Sequence, residues 1–69
     1  MKYNIVFVNG QAFNCYQSMC LKDLLIYLNF DTNLVAVEYN KEIINSSFFD
    51  AVILKSQDCI EVITIAGGG

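Results

Sequence analysis

The sequence predicts an α+β domain: a mixed sheet of four or five strands, one main helix packed on one face, and a glycine tail. Three observations carry that expectation. An Asn9-Gly10 pair separates two strand-forming runs, a leucine stripe at helical period comes next, and strand-like runs return after it. The 69 residues allow one small core. A hydrophobic fraction of 55% with only 16% charged residues is too apolar for a disordered chain. It also exceeds what so small a core can hide, and an exposed apolar patch on a small domain marks a partner site.

Residues 2–8 are rich in strand formers and lead into Asn9-Gly10. That dipeptide favours a type I′ hairpin turn, which needs positive φ at both central positions. Gln11–Tyr16 then returns as an antiparallel strand, alternating Phe13 and Cys15 against Ala12 and Asn14. Ser18 can cap a helix by accepting from first-turn amides. Leu21, Leu24, Leu25 and Leu28 fall at i, i+3, i+4 and i+7, one apolar stripe, so the helix is expected over 19–28, ending near Asn29. Asp31-Thr32-Asn33 reads as a loop, Val35–Tyr39 as the third strand, and Glu42–Ile44 as a short return after an Asn40-Lys41 turn. Phe48, Phe49, Val52, Ile53 and Leu54 are expected to be largely buried, with a helical turn at 48–50 and a short strand at 52–54. The final strand spans 59–65. Helix-over-sheet layering then places the first and last strands parallel and adjacent in the centre, the β-grasp arrangement. Residues 1–65 would form this domain and 66–69 a flexible tail.

Strand alternation assigns the faces. With Glu61 toward water, Ile63 and Ile65 share its uncovered face. Val6 and Val8 are read inward, and Ile5 and Phe7 outward. The first strand is apolar at both parities, so the reverse assignment also fits its pattern. On the reading adopted, Ile5, Phe7, Ile63 and Ile65 form an apolar docking patch beside the root of the tail.

A net charge of −3 and the lack of a basic stripe argue against nucleic-acid binding. No run has the length of a membrane-spanning helix, and the first residues resemble neither a secretory signal nor a transit peptide. The chain is expected to work where it is made. Cys15, Cys20 and Cys59 are an odd number at irregular spacing, a poor disulfide or zinc pattern. They read as small buried hydrophobes in a reducing compartment.

The chain closes Ile65-Ala66-Gly67-Gly68-Gly69. Glycine adds nothing to a core and loses the most entropy on ordering, so such a tail suits a terminus that threads a narrow site on a partner. What it delivers there is the Gly69 carboxylate. A carboxylate is a poor electrophile until it is activated; adenylation supplies a leaving group, and a sulfur nucleophile can then leave a thiocarboxylate.

Val35-Ala36-Val37-Glu38-Tyr39-Asn40-Lys41-Glu42-Ile43-Ile44 resembles the V-A-V-E-x-N-x-x-I-I signature of the ThiS family, the sulfur carriers of thiamine biosynthesis. Asp58-Cys59-Ile60-Glu61-Val62 and the Gly-Gly-Gly end resemble that family's D-x-I-E-I and terminal glycines. Gln57 stands where the family often has glycine, and Ala66 where it usually has valine. The resemblance covers essentially the whole chain and implies a carrier with no catalytic site of its own and no bound cofactor. It implies that Gly67, Gly68 and Gly69 enter partner active sites and that Gly69 bears the sulfur. The implied partners are a ThiF-like adenylating enzyme that uses ATP and magnesium, a sulfur donor such as a cysteine desulfurase, and the thiazole synthase ThiG. The implied compartment is bacterial cytoplasm or plastid stroma. Glu38 and Asn40 read as hairpin residues first and partner contacts second. Molybdopterin synthesis, tRNA thiolation and protein modification share the Gly-Gly ending and stay open as alternatives.

Overall fold

The computed structural model describes residues 2–65. Among them the order is β1 (Tyr3–Val8), β2 (Gln11–Tyr16), α1 (Leu21–Tyr27), β3 (Val35–Tyr39), β4 (Glu42–Ile44), a 3-10 turn (Ser46–Phe48) and β5 (Cys59–Thr64). The strands lie side by side as β2-β1-β5-β3-β4. β1 and β5 are parallel, and every other pairing is antiparallel. This is the β-grasp arrangement, with β5 central.

The hairpin forms where the dipeptide demands it. Asn9 has φ +50° and Gly10 φ +81°, the left-handed pair a type I′ turn requires. A Cβ on Gly10 would meet nothing within 4 Å, so its role is conformational. The parallel β1–β5 ladder is set by three amides: Gln57 donates to the Ile5 carbonyl at 2.7 Å, Phe7 to Asp58 at 2.9 Å and Asn9 to Ile60 at 2.9 Å.

The leucine stripe builds the helix, which is shorter than its period suggested. Leu21, Leu24 and Leu25 are buried, and Leu28 packs half-buried at the edge of the core. The expected Ser18 cap is corrected. Ser18 is exposed, and the N-cap residue is Cys20, which makes no side-chain cap bond. The leading amides instead use distant carbonyls: Leu21 donates to Val52 at 2.8 Å and Lys22 to Phe49 at 2.9 Å. In return Leu54 donates to Met19 at 2.9 Å, and Cys20 bridges Ile53. Backbone from late in the chain thus satisfies donors that a helix start otherwise leaves unpaired. At the other end Asn29, at φ +67°, closes a Schellman motif: Phe30 donates to Leu25 at 2.9 Å and Asn29 to Ile26 at 3.0 Å.

The core lies between helix and sheet. Val6, Val8, Val35, Val37, Ile60 and Val62 line the covered face, with Phe49 and Leu54 filling in from the connecting segment. That segment departs from expectation. Its 3-10 turn covers Ser46–Phe48 instead of 48–50, held by the Asn45 side chain accepting from the Ser47 amide at 2.9 Å. Phe48 is 60% exposed and Ile53 is also largely exposed, so only Phe49 and Leu54 of the apolar run are fully buried. The backbone here follows the helix start it caps, and its side chains point inward only where that path allows. The cysteines differ likewise: Cys15 is buried and Cys20 half-buried, but Cys59 is exposed because its neighbour Ile60 takes the core side of β5.

Candidate functional site

The expected tail, Gly67, Gly68 and Gly69 with Ala66, lies outside the described residues. The strand that leads to it is fixed along its length. Where β1 ends, Asn9 takes over its place beside β5: the side-chain amide donates to the Val62 carbonyl at 3.2 Å and its oxygen accepts from the Val62 amide at 2.7 Å. On the other side β3 pairs with β5 through Val35 opposite Thr64. The Ile65 amide then donates to the Leu34 carbonyl at 2.6 Å. Leu34 and Ile65 are both exposed, an apolar collar where the chain leaves the sheet.

The start of β5 is held by a polar cluster around Asp58. This buried carboxylate accepts from the Tyr39 hydroxyl, from Asn40 Nδ2 at 3.1 Å and from the Lys55 amide at 2.6 Å. Asn40 also accepts from the Cys59 amide at 2.8 Å through Oδ1, while its own amide donates to the Cys59 carbonyl at 2.8 Å. Asn9 and Asn40 thus do the same work on opposite sides of β5, at Val62 and Cys59. Each is a turn residue at positive φ whose side chain continues the sheet. Burial pushes the Asp58 carboxyl up. The bonds from Tyr39, Asn40 and the Lys55 amide, with the Lys55 charge, outweigh that and hold it below the ordinary aspartate value. Burial, then the bond to Asp58 and its charge, push Tyr39 up to about 12. Burial, with Asp58 nearby, also raises the Cys15 thiol, which disfavours the reactive thiolate. The cluster makes Asp58 an anchor for the strand.

The sheet face away from the helix carries the sequence-expected docking residues. Val6 and Val8 are in the core and Ile5 is 43% exposed, with Phe7 half-buried on the same side. Ile63 is 65% exposed and Ile65 also open. The register places them at two heights, not in one patch. Phe7 lies opposite Cys59 on β5 and Ala12 on β2. Ile63 lies four residues further along β5, about 13 Å at strand rise, opposite Ala36. Between these apolar rows stands a third: Glu61 faces Glu38 on β3, which faces Ile43 on β4.

Sequence reasoning missed the side-chain role of Asn9, the anchoring by Asp58 and Tyr39, and the cross-strand pairing of Glu38 with Glu61. Asn40 and Asp58 both belong to the segments that carried the family resemblance, which was the available signal. Among the described residues no group of three or more His, Cys, Asp or Glu side chains could hold a metal ion, and no helix is long and apolar enough to cross a membrane.

Comparison with known proteins adds the following. The sequence matches the ThiS family over residues 6–69. It is 45% identical over 62 residues to the uncharacterized protein ycf40 of Pyropia yezoensis, covering 90% of this chain and 87% of that protein. It is 38% identical over 64 residues to a thiazole synthase of Magnetococcus marinus, covering 93% of this chain but only 20% of that longer protein. The crystal structure of the thiamine biosynthesis protein ThiS from Geobacter metallireducens superposes with a TM-score of 0.80 at 31% identity, covering 94% of this chain and 99% of that one.

Proposed function

Because the chain belongs to the ThiS family, we propose that it carries sulfur on its Gly69 carboxylate for assembly of the thiazole ring of thiamine. The carboxylate attacks the α-phosphate of ATP on a ThiF-like enzyme, releasing pyrophosphate and forming an acyl-adenylate. A donor at the sulfide level, such as the persulfide of a cysteine desulfurase with a reducing thiol, then displaces AMP and leaves the thiocarboxylate. Thiazole synthase accepts that sulfur. The chain binds no cofactor and contributes no catalytic side chain; ATP and magnesium belong to the activating partner. Gly67 and Gly68 let the terminus pass a tunnel that a Cβ would obstruct.

The observation that carries this reading is the thiazole synthase of Magnetococcus marinus, part of which resembles nearly the whole of this chain. A carrier and the enzyme it serves gain from being joined, since a tether raises their effective concentration. The fixed β5 supports the reading physically. It presents the tail from a defined point beside Leu34, while Ile5, Phe7, Ile63 and Ile65 offer apolar surface for grip. Relatives in an alga and a bacterium agree with work in a plastid stroma or a bacterial cytoplasm.

Reconstitution tests the proposal. Carrier preloaded with thiocarboxylate, given to thiazole synthase with a deoxyxylulose phosphate and a glycine-derived imine, is expected to yield the thiazole phosphate in proportion to carrier supplied. Sulfur delivered to a molybdopterin synthase but not to thiazole synthase would contradict it.

A further inference from the structure

We propose that the open face of the sheet receives a basic side chain of the adenylating partner, an arginine or lysine set in an apolar surface, between Glu38 and Glu61. The inference rests on the sulfur-carrier reading and adds the chemistry of the surface that must dock. Glu38 and Glu61 are directly opposed on the antiparallel β3–β5 ladder. Such a pair has its Cβ atoms about 4.5–5.5 Å apart, and like charges in this arrangement destabilise a sheet. None of the four lysines lies on β3 or β5, and the chain has no arginine. The repulsion is therefore not relieved by a cation of either strand.

What surrounds the pair decides what can cover it. On one side lie Phe7 and Cys59, on the other Ile63 and Ala36, and Ile43 continues the acidic row at 81% exposure. A partner that buries these apolar rows buries the carboxylates with them. A purely apolar partner would strand two like charges out of water, which desolvation makes unfavourable. A second copy of this chain is worse: a two-fold interface is self-complementary and would bring four carboxylates together. A cation between the two glutamates removes both difficulties. Arginine suits it best, since its planar fork can bond both carboxylates and its flat faces lie well against apolar neighbours. The glutamates thus admit partners with a cation at this point and reject acidic or purely apolar surfaces.

The test is titration calorimetry of the full chain against its ThiF-like adenylating enzyme at low and high salt. It uses wild type, the Glu38→Gln, Glu61→Gln double variant, and Glu61→Lys. The double variant should bind about tenfold more weakly at low salt and lose most of its salt dependence, and Glu61→Lys should bind more weakly still. Melting temperatures of the double variant should equal or exceed wild type, because the repulsion is gone. Affinity of the double variant within about twofold of wild type at both salts would overturn the proposal, as would a wild-type dimer formed through this face. Intact-mass measurement of wild-type sulfur loading, after ATP, magnesium and a sulfur donor are added to the same pair of proteins, reads the carrier function separately, so the two can fail independently.

Discussion

The two faces of this sheet are made by one alternation along the same strands, and they meet opposite demands. On the covered face Val6, Val37 and Ile60 are at most 1% exposed. One residue away on those strands, or on β4 beside them, Ile5 and Ile43 stand open to solvent, as does Ile63 on β5. A side chain buried by the helix contributes about 1.5–3 kcal/mol through burial, whereas an exposed one contributes little to folding. Large apolar residues kept on the open face therefore need a reason outside the fold, and the proposed docking supplies one. On the proposed docking role, stability and function separate by parity: shifting a substitution by one residue moves it from one to the other.

Substitutions can break that separation or sharpen it. The largest effect on stability belongs to the covered face. Leu24→Ala, emptying a fully buried site of the helix stripe, should destabilise by about 2–5 kcal/mol in denaturant unfolding. Next comes the anchor of β5. Asp58→Ala leaves the Tyr39 hydroxyl, Asn40 amide and Lys55 amide without their acceptor, with an expected loss on the order of 3 kcal/mol.

The same cluster fixes a pH dependence. The Asp58 carboxyl is depressed on folding, so its contribution is full above the unfolded value, near pH 4, and is lost as pH falls through the lower folded value. The Tyr39 hydroxyl is raised to about 12, so its contribution is full below about pH 10 and is lost as pH rises from there toward 12. Thermal unfolding across pH should show both losses, and Tyr39→Phe should shrink the alkaline one, leaving the part that the buried Cys15 thiol contributes.

On the open face, Ile63→Asp should leave stability within about 0.5 kcal/mol while weakening binding to the adenylating enzyme. A fall in melting temperature as large as that of Leu24→Ala would end the division between faces. The one stabilising change is at Gln57, which holds φ +72°. Gln57→Gly relieves a conformation that favours glycine and should stabilise by about 0.5–1 kcal/mol, less what the more flexible unfolded chain takes back.

Much of this was legible because it is local. Asn9-Gly10 specifies its turn by the φ it allows, the leucines specify a helix by their spacing, and alternation separates Val6 and Val8 from Ile5 and Phe7. What escaped depends on residues far apart in sequence. Ser18 had every local qualification for a cap, but its work is done by carbonyls of Phe49 and Val52, which only the folded chain brings near. Residues 48–54 have no clean period, because their backbone follows the helix start they cap. Alternation says which face a strand residue takes but not at what height, so Phe7 and Ile63 fell on the correct face and were joined too closely. The offset between parallel β1 and β5 sets that height, and it opened the gap in which Glu38 and Glu61 meet.

The central claim is that this fold presents a terminal carboxylate for sulfur loading and supplies no chemistry of its own. Intact-mass spectrometry of the chain, incubated with its adenylating enzyme, ATP, magnesium and a sulfur donor, tests that most directly. The account predicts one oxygen exchanged for sulfur at Gly69, and no exchange when the Gly69 carboxylate is capped as an amide, with the melting temperature of the capped chain unchanged. Sulfur found on Cys59 or another cysteine, or loading that persists on the capped chain, would contradict it.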